Sequence, residues 1–309
     1  ALGKDVTFVG QGSLLSRPIG EYLTLLPLHG TQIKSNGYLP ATISGKLRNG
    51  SFEVNGNVSS QYITGLLLAL AALDGDSAVI LKTELQSKPY VDMTIKVMKD
   101  YGVDIRETDF GYLVKGGQKF KVQDYVVEGD WSQAAFFYGL NALDSQVEVT
   151  GLRSDSLQGD RVCERLMKEM TGGFLQADLS DCPDLAPVLF AVAAGLENGA
   201  HFTGTRRLAI KESNRASAMA DELAKFGAEI SVGENEVKIA PVPLHRPKEI
   251  LQGHNDHRVV MALAVLATRF GGVIDDAQAI SKSYPEFFRD LAGLGVQVRT
   301  EEDQEGETA

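Results

Sequence analysis

Four stretches of this chain repeat one pattern, and that repetition constrains the fold more than any single residue does. Each runs from a polar turn into an Ala/Leu/Val-rich helix, a β-branched strand, a second amphipathic helix and a closing strand. The first helices are read at 57–73 (NVSSQYITGLLLALAAL), 129–143 (GDWSQAAFFYGLNAL), 182–196 (CPDLAPVLFAVAAGL) and 255–270 (NDHRVVMALAVLATRF). The strands after them are SAVILKT, QVEVTG, AHFTGT and GGVIDD. Second helices follow as KPYVDMTIKVMKDYG, GDRVCERLMKEM, ESNRASAMADELAKFG and KSYPEFFRDLAGLG. Three of these end at Gly102, Gly227 and Gly295, before the short β patterns VDI, AEI and VQV. Glycine suits the left-handed residue that closes a helix.

The register is regular. Ser60, Ser132, Asp184 and Asp256 fall at matching helix starts, separated by 72, 52 and 72 residues. The short interval lies around EMTGGFLQADLSD (169–181), where one copy is expected to lack a β-hairpin. A further strand pair is read in TISGKLRNGSFEVNG (42–56), ahead of the first complete copy. The pattern predicts an α/β protein of βαβαββ units. Its first helices are apolar nearly all round, hence buried, with the sheets outside them. A change of register at DYVVEGD (124–130) places the boundary between two lobes, 1–126 and 127–309. Buried helices whose polar starts point one way would line a cleft with free N–H groups and positive dipole ends, which suits anions.

Composition narrows the function. A net charge of −11 over 309 residues argues against a general nucleic-acid surface. It leaves room for a small anionic substrate, because a few cations focused in a cleft outweigh screened distant charge. The longest apolar run (63–73) stops at Asp74 and is too short to cross a bilayer, and the opening ALGKDVTF does not read as a signal peptide. Cys163 and Cys182 have neither metal-ligand nor disulfide-framework spacing, which fits a reducing cytoplasm. The acidic end, 300–309, reads as a frayed tail.

One cluster stands out. Lys211, Glu212 and Arg215 crowd the mouth of the helix within RLAIKESNRASAMADELAKFGAEI. With GNVSSQYITGLLLALAAL, SKPYVD, VEGDWSQAAFF, DSLQGD, CPDLAPVLFAVAA, HNDHRVVMALAV and ISKSYPEFF, it resembles the 5-enolpyruvylshikimate-3-phosphate synthase family. The motifs keep that family's order and nearly its spacing, from about residue 10 to 298. The resemblance implies a two-lobed fold of βαβαββ units closing over substrate. The front of the family's pattern, with an early Lys-containing loop and a Gly-Asn-rich loop, is not found ahead of Ala1. The implied reaction moves the enolpyruvyl group of phosphoenolpyruvate to the 5-hydroxyl of shikimate 3-phosphate, releasing phosphate. No cofactor or metal is implied. Glyphosate is an expected inhibitor, and the family is usually monomeric.

By the same resemblance, Arg17 in SRPIG grips phosphoenolpyruvate. Ser59, Ser60 and Gln61 hold the shikimate phosphate and hydroxyls, joined by Ser87 and Tyr90 of SKPY. On their own these serines would be helix caps, and Pro89 a helix initiator. Asp184 is implied to accept the 5-hydroxyl proton and Glu212 to protonate the phosphoenolpyruvate methylene. Such a division of labour needs two carboxyls set apart by their surroundings. Lys211 contacts shikimate 3-phosphate, while Arg215 and Arg258 hold phosphoenolpyruvate. Lys282 reaches its phosphate with a catalytic share. His257 handles phosphate or a proton, or simply bonds the helix start, and Asp256 reads as a cap. The first lobe is thus the shikimate 3-phosphate side, and the second the phosphoenolpyruvate and catalytic side. Two other readings remain: UDP-N-acetylglucosamine enolpyruvyl transferase, whose reactive cysteine neither Cys163 nor Cys182 matches, and a form that binds shikimate 3-phosphate without turnover.

Overall fold

Two four-stranded sheets in this chain have the same strand order, although their sequences share little. A computed structural model describes residues 1, 3–196 and 198–299, so the acidic stretch 300–309 lies outside the described residues. By their contacts, residues form two units: Ala1–Glu128 with Arg153–Gly159, and Gly129–Leu152 with the chain from Asp160 onward.

The first unit opens with β1 (Val6–Phe8), α1 (Gly20–Leu25), β2 (Thr31–Lys34) and β3 (Ala41–Gly45), forming an antiparallel sheet in the order β1-β3-β2. A complete copy follows as β4 (Ser51–Val54), α2 (Ser60–Ala71), β5 (Ser77–Leu81), α3 (Lys88–Asp100), β6 (Ile105–Thr108) and β7 (Gly111–Val114). Its order is β4-β5-β7-β6, with β4 and β5 parallel and the other pairs antiparallel. Phe52 and Val54 face inward from β4, and with Ile63, Leu67 and Leu70 of α2 they form the unit's buried core.

The second unit contains α4 (Trp131–Ala142), α5 (Cys163–Thr171), β8 (Leu175–Asp178), α6 (Ala186–Gly195) and β9 (Ala200–Thr203). It continues with α7 (Arg215–Ala224), β10 (Ile230–Val232), β11 (Glu236–Ile239), α8 (His257–Phe270) and α9 (Phe287–Gly293). The order β8-β9-β11-β10 again begins with a parallel pair, β8 and β9. Around α8 the same parallel crossing shrinks to one bridge, Leu251 to Ile274. Every residue of α6 is buried, as is the stretch of α8 from His257 to Leu266. Strands β9 and β11 bury alternate residues, so helices fill the interior of this unit and its sheet covers them, as the apolar pattern predicts.

Departures from the expected elements have local causes. No strand forms at 146–151, because the Asn141 side chain takes both backbone groups of Val147, accepting from its N–H at 2.6 Å and donating to its carbonyl at 2.8 Å. None forms at 296–298 either; the Val296 N–H closes the end of α9 on Leu291 at 3.1 Å. The pair read at 42–56 does form two strands, yet β3 and β4 belong to different sheets. Between α5 and α6 stands the single strand β8, where the complete copies carry a hairpin. Gly102, Gly227 and Gly295 take the expected left-handed conformation, with φ of 83°, 93° and 93°.

Helices α4, α6 and α8 pack on one another in the second unit. Gly139 makes this possible, since a Cβ there would lie 3.0 Å from Val188, 3.2 Å from Val192 and 3.4 Å from Val265. These stiff β-branched neighbours cannot swing away. Gly139→Leu is therefore expected to cost about 1–3 kcal/mol by overpacking, read as a lower urea midpoint; undiminished stability would show that the helices are not in close contact.

Candidate functional site

Each parallel β–α–β crossing delivers a strand-to-helix loop to the carboxyl end of its sheet, where helix N–H groups are unpaired. In the first unit two such loops are laced together. Gln86 N–H donates to the Gly56 carbonyl at 3.1 Å, and Asn57 N–H to Thr83 Oγ1 at 3.1 Å. Ser59 caps α2, its Oγ accepting from Gln61 N–H at 3.3 Å, and Ser60 is buried in the first turn. Ser87 heads α3, buried, with a left-handed φ of 55°, and the Tyr90 N–H donates to its carbonyl at 3.1 Å. Arg17 joins them, because the Tyr62 hydroxyl in the first turn of α2 donates to the Pro18 carbonyl at 2.9 Å. So Arg17, Ser59, Ser60, Gln61, Ser87 and Tyr90 gather at one end of this unit.

The second unit assembles its residues around Arg215. This guanidinium is 1% exposed and bonds three carboxylates. Nε donates to Asp256 Oδ2 at 2.8 Å, Nη1 to Asp184 Oδ1 at 2.8 Å, and Nη2 to Glu212 Oε2 at 2.6 Å. A planar fork of five donors suits this bridging, which a lysine could not reproduce. Asp184 sits in the 3-10 turn Pro183–Leu185 before α6 and also meets Lys211 Nζ at 3.1 Å and Arg258 Nη2 at 3.2 Å. Asp256 caps α8 by accepting from Arg258 N–H at 3.0 Å, and takes a further bond from Ser213 Oγ at 3.0 Å. Asp184, Lys211, Glu212, Arg215, His257 and Arg258 thus share one cluster.

Lys282 stands one residue removed. Its ammonium bonds the Asn255 carbonyl and, at 2.7 Å, Asn255 Oδ1. Asn255 and His254 both have positive φ, 50° and 51°, so Lys282 secures a strained turn immediately before the cluster. Matching the four helix starts by spacing alone is correct only to within two residues. The capping side chains are Ser59 for α2, Asp130 for α4 and Asp256 for α8, while Asp184 lies inside the 3-10 turn before α6.

The charges set each other. Burial opposes ionisation of Asp184, but Arg258, Lys211 and Arg215 outweigh it and hold its carboxyl far below the usual range. Burial likewise opposes the Asp256 charge, and Arg215 overcomes it. Burial and the Arg215 charge lower the proton affinity of Lys211 against the pull of Asp184. His257 is held neutral by burial and by Arg258, with Nδ1 3.9 Å from Asp256 Oδ1. Both cysteines are buried thiols; Cys163 is pushed up to about 12 by burial and Asp160, and Cys182 is raised by the same two causes.

One residue of this neighbourhood escaped the sequence reading of roles. Asp160 is 2% exposed and accepts from the Ser132 hydroxyl at the start of α4. Its signal was an acidic residue at the mouth of its copy's second helix, where Glu212 stands in the next copy. Among the described residues no group of three or more His, Cys, Asp or Glu could hold a metal ion, and no helix is long and apolar enough to cross a membrane. Two surface hollows, of about 520 and 700 Å³, are lined by other residues such as Tyr284 and His201, so the chemistry does not sit in them.

Comparison with known proteins fits this geometry. The family model for EPSP synthase (3-phosphoshikimate 1-carboxyvinyltransferase) matches residues 1–291. A 3-phosphoshikimate 1-carboxyvinyltransferase of Clostridium novyi (strain NT) is 39% identical over 312 residues, covering 94% of this chain and 72% of that protein. Its namesake in Clostridioides difficile (strain 630) is 36% identical over 311 residues, covering 94% and 71%. Among solved structures, the EPSP synthase of Acinetobacter baumannii superposes with a TM-score of 0.75 at 22% identity, covering 97% of this chain and 75% of that one. The enolpyruvyl transferase NikO of Streptomyces tendae gives 0.73 at 16%, covering 96% and 74%.

Because Arg215 is the common partner of three carboxylates, Arg215→Met should strand buried charge and cost about 3–5 kcal/mol. Asp184 and Asp256 are held low in the folded state. Their stabilisation is complete above the ordinary carboxylate range, near pH 4, and is lost as pH falls below it. Melting temperatures measured from pH 7 down to pH 2 should therefore drop steeply below about 4 in the native chain, and less steeply in Arg215→Met. Equal slopes would remove the coupling.

Proposed function

This chain belongs to the EPSP synthase (3-phosphoshikimate 1-carboxyvinyltransferase) family, and from that premise we propose how its residues divide the work. The chain is a transferase of the carboxyvinyl group of phosphoenolpyruvate onto 3-phosphoshikimate, a step of aromatic amino acid biosynthesis. The observation that carries the assignment of roles is the cluster built from the starts of α6, α7 and α8, where the cations Lys211, Arg215 and Arg258 and the carboxylates Asp184, Glu212 and Asp256 meet within hydrogen-bond distance.

Ser59, Ser60, Gln61, Ser87 and Tyr90 bind the shikimate phosphate and ring hydroxyls at the paired helix starts of the first unit. In the second unit Arg215, Arg258 and Lys282 take the carboxylate and phosphate of phosphoenolpyruvate, with His257 as a neutral hydrogen-bonding group; by the family pattern Arg17 is assigned to phosphoenolpyruvate and Lys211 to shikimate 3-phosphate. Glu212 delivers a proton to the methylene carbon as the 5-hydroxyl oxygen bonds to C2 and Asp184 takes the hydroxyl proton. The tetrahedral adduct then loses phosphate by the reverse proton movements: the C2–O bond to phosphate breaks as Asp184 returns its proton to the departing phosphate, Glu212 takes a proton from the methyl carbon, and the vinyl double bond re-forms. Cations facing the developing charge supply electrostatic stabilisation. The 1–126 lobe is accordingly the shikimate side and 127–309 the phosphoenolpyruvate and catalytic side. Glyphosate inhibition, a monomeric state and a cytoplasmic setting complete the proposal.

Phosphate release from the two substrates tests the whole reading, and Asp184→Ala tests the central role. It is expected to lower kcat by about 10²–10⁴ while shikimate 3-phosphate still binds, as read by calorimetry. Unchanged kcat would refute Asp184 as the proton acceptor, and absence of binding with the native chain would refute the substrate assignment.

A further inference from the structure

The DSLQGD motif has no role in the division of labour above, yet its last residue is among the most buried charged groups of the second unit. Asp160 is 2% exposed and lies at the start of the 3-10 helix Gly159–Val162 leading into α5. Its Oδ2 accepts from Ser132 Oγ. Its Oδ1 is buried and has no hydrogen-bond partner among the described residues. A carboxylate oxygen left unsatisfied in the interior is costly unless a nearby charge compensates or a partner arrives during function. The charged and titratable groups close enough to act on it electrostatically are Arg258 from α8, Asp184 from the turn before α6, Asp130 from the cap of α4, Cys163 from α5 and Cys182 from the loop after β8. Both thiols are neutral. Of these groups Arg258 is the cation, and in this state it is turned to Asp184, with its ion-pair contact at 3.2 Å and a bond to the Asp184 carbonyl at 3.5 Å.

We propose that Asp160 is a positioning residue for the proton acceptor: its carboxylate shares the Arg258 cation with Asp184 and thereby keeps Asp184 able to take a proton. The inference rests on the assignment of Asp184 above. Three cations on Asp184 make it a very weak base; whatever draws Arg258 toward a second carboxylate strengthens it. Asp160 supplies that second carboxylate without touching substrate. Burial and the Asp184 charge push its own carboxyl up to about 6, against Arg258 and the Ser132 hydrogen bond. Its charge is therefore present at neutral pH and lost on mild acidification, and the two carboxyls titrate as a coupled pair.

Asp160→Asn keeps the shape and removes the charge. We expect kcat for phosphate release at pH 7 to fall about tenfold, with KM for both substrates within about threefold of native. The acid limb of the native kcat profile, near pH 6, should vanish. Ser132→Ala should move that limb to higher pH, because it removes a bond to the charged form. Melting curves give a reading independent of turnover. Between about pH 4 and pH 6 the native chain keeps a proton that the unfolded chain releases, so this group's contribution to native stability falls as pH rises across that window. Asp160→Asn should not share the fall. The inference is overturned if Asp160→Asn leaves kcat and its pH profile unchanged, or lowers kcat equally at every pH together with a lower melting temperature. If instead Asp184→Ala retains full turnover, the assignment of the acceptor fails first and separately.

Discussion

A guanidinium sealed from water cannot be left without partners, and Arg215 makes this requirement the organiser of the second unit. Its three carboxylates come from the turn before α6, from the mouth of its own helix α7, and from the cap of α8. Any arrangement that separated those helix starts would strand a buried charge on one side or the other. The bridging need not add net stability over a well-packed apolar cluster to have this effect. It penalises the alternatives, and so holds three loops from distant parts of the chain in one place.

The helices can meet there because their flanks are small. Gly139 admits Val188, Val192 and Val265, and Gly195 meets Leu143 and Leu266, so α4, α6 and α8 approach along their length. Sheets of identical strand order flank buried helices in both units. A parallel crossing always returns the chain to the same edge, so every strand-to-helix loop opens at the same end of its sheet. The candidate site residues accumulate at those ends: serines and a tyrosine in the first unit, alternating cations and carboxylates in the second.

The legibility of this architecture in the sequence follows the same division. Long apolar runs such as 182–196 and 255–270 announce buried helices, because no other element hides so many consecutive apolar residues. Short closing strands are less secure, since one side chain can claim their backbone. Asn141 does so at Val147, and the closing turn of α9 does so at Val296. Caps are uncertain by a residue or two where several capping types are adjacent, as with Ser59 and Ser60. Lys211, Glu212 and Arg215 are conspicuous as a cluster in sequence. Asp256 reads as a cap and is one, but nothing local reveals that its other oxygen anchors Arg215 from 41 residues away. Asp160 is nearly silent, because a lone acid at a helix start normally means no more than a favourable dipole. Lys282 carries meaning only through the family pattern and the turn it fastens.

Charge balance ties recognition to reactivity. In this state Lys211, Arg215 and Arg258 are matched by Asp184, Glu212 and Asp256, and Lys282 is engaged by Asn255. An incoming phosphate or carboxylate must therefore compete with internal carboxylates for its cations. Arg215 is the least available, since it is 1% exposed and doubly bonded to Asp256. Lys211 and Arg258 are more exposed, so a ligand draws on them more readily than on Arg215. Every cation drawn away from Asp184 raises its affinity for a proton, and each tenfold gain in that affinity costs about 1.4 kcal/mol. The ligand supplies this from its own contacts. In the role proposed for Asp184 as proton acceptor, binding energy is converted into a stronger base at the reacting hydroxyl, an interaction expressed in the transition state rather than as tighter ground-state binding.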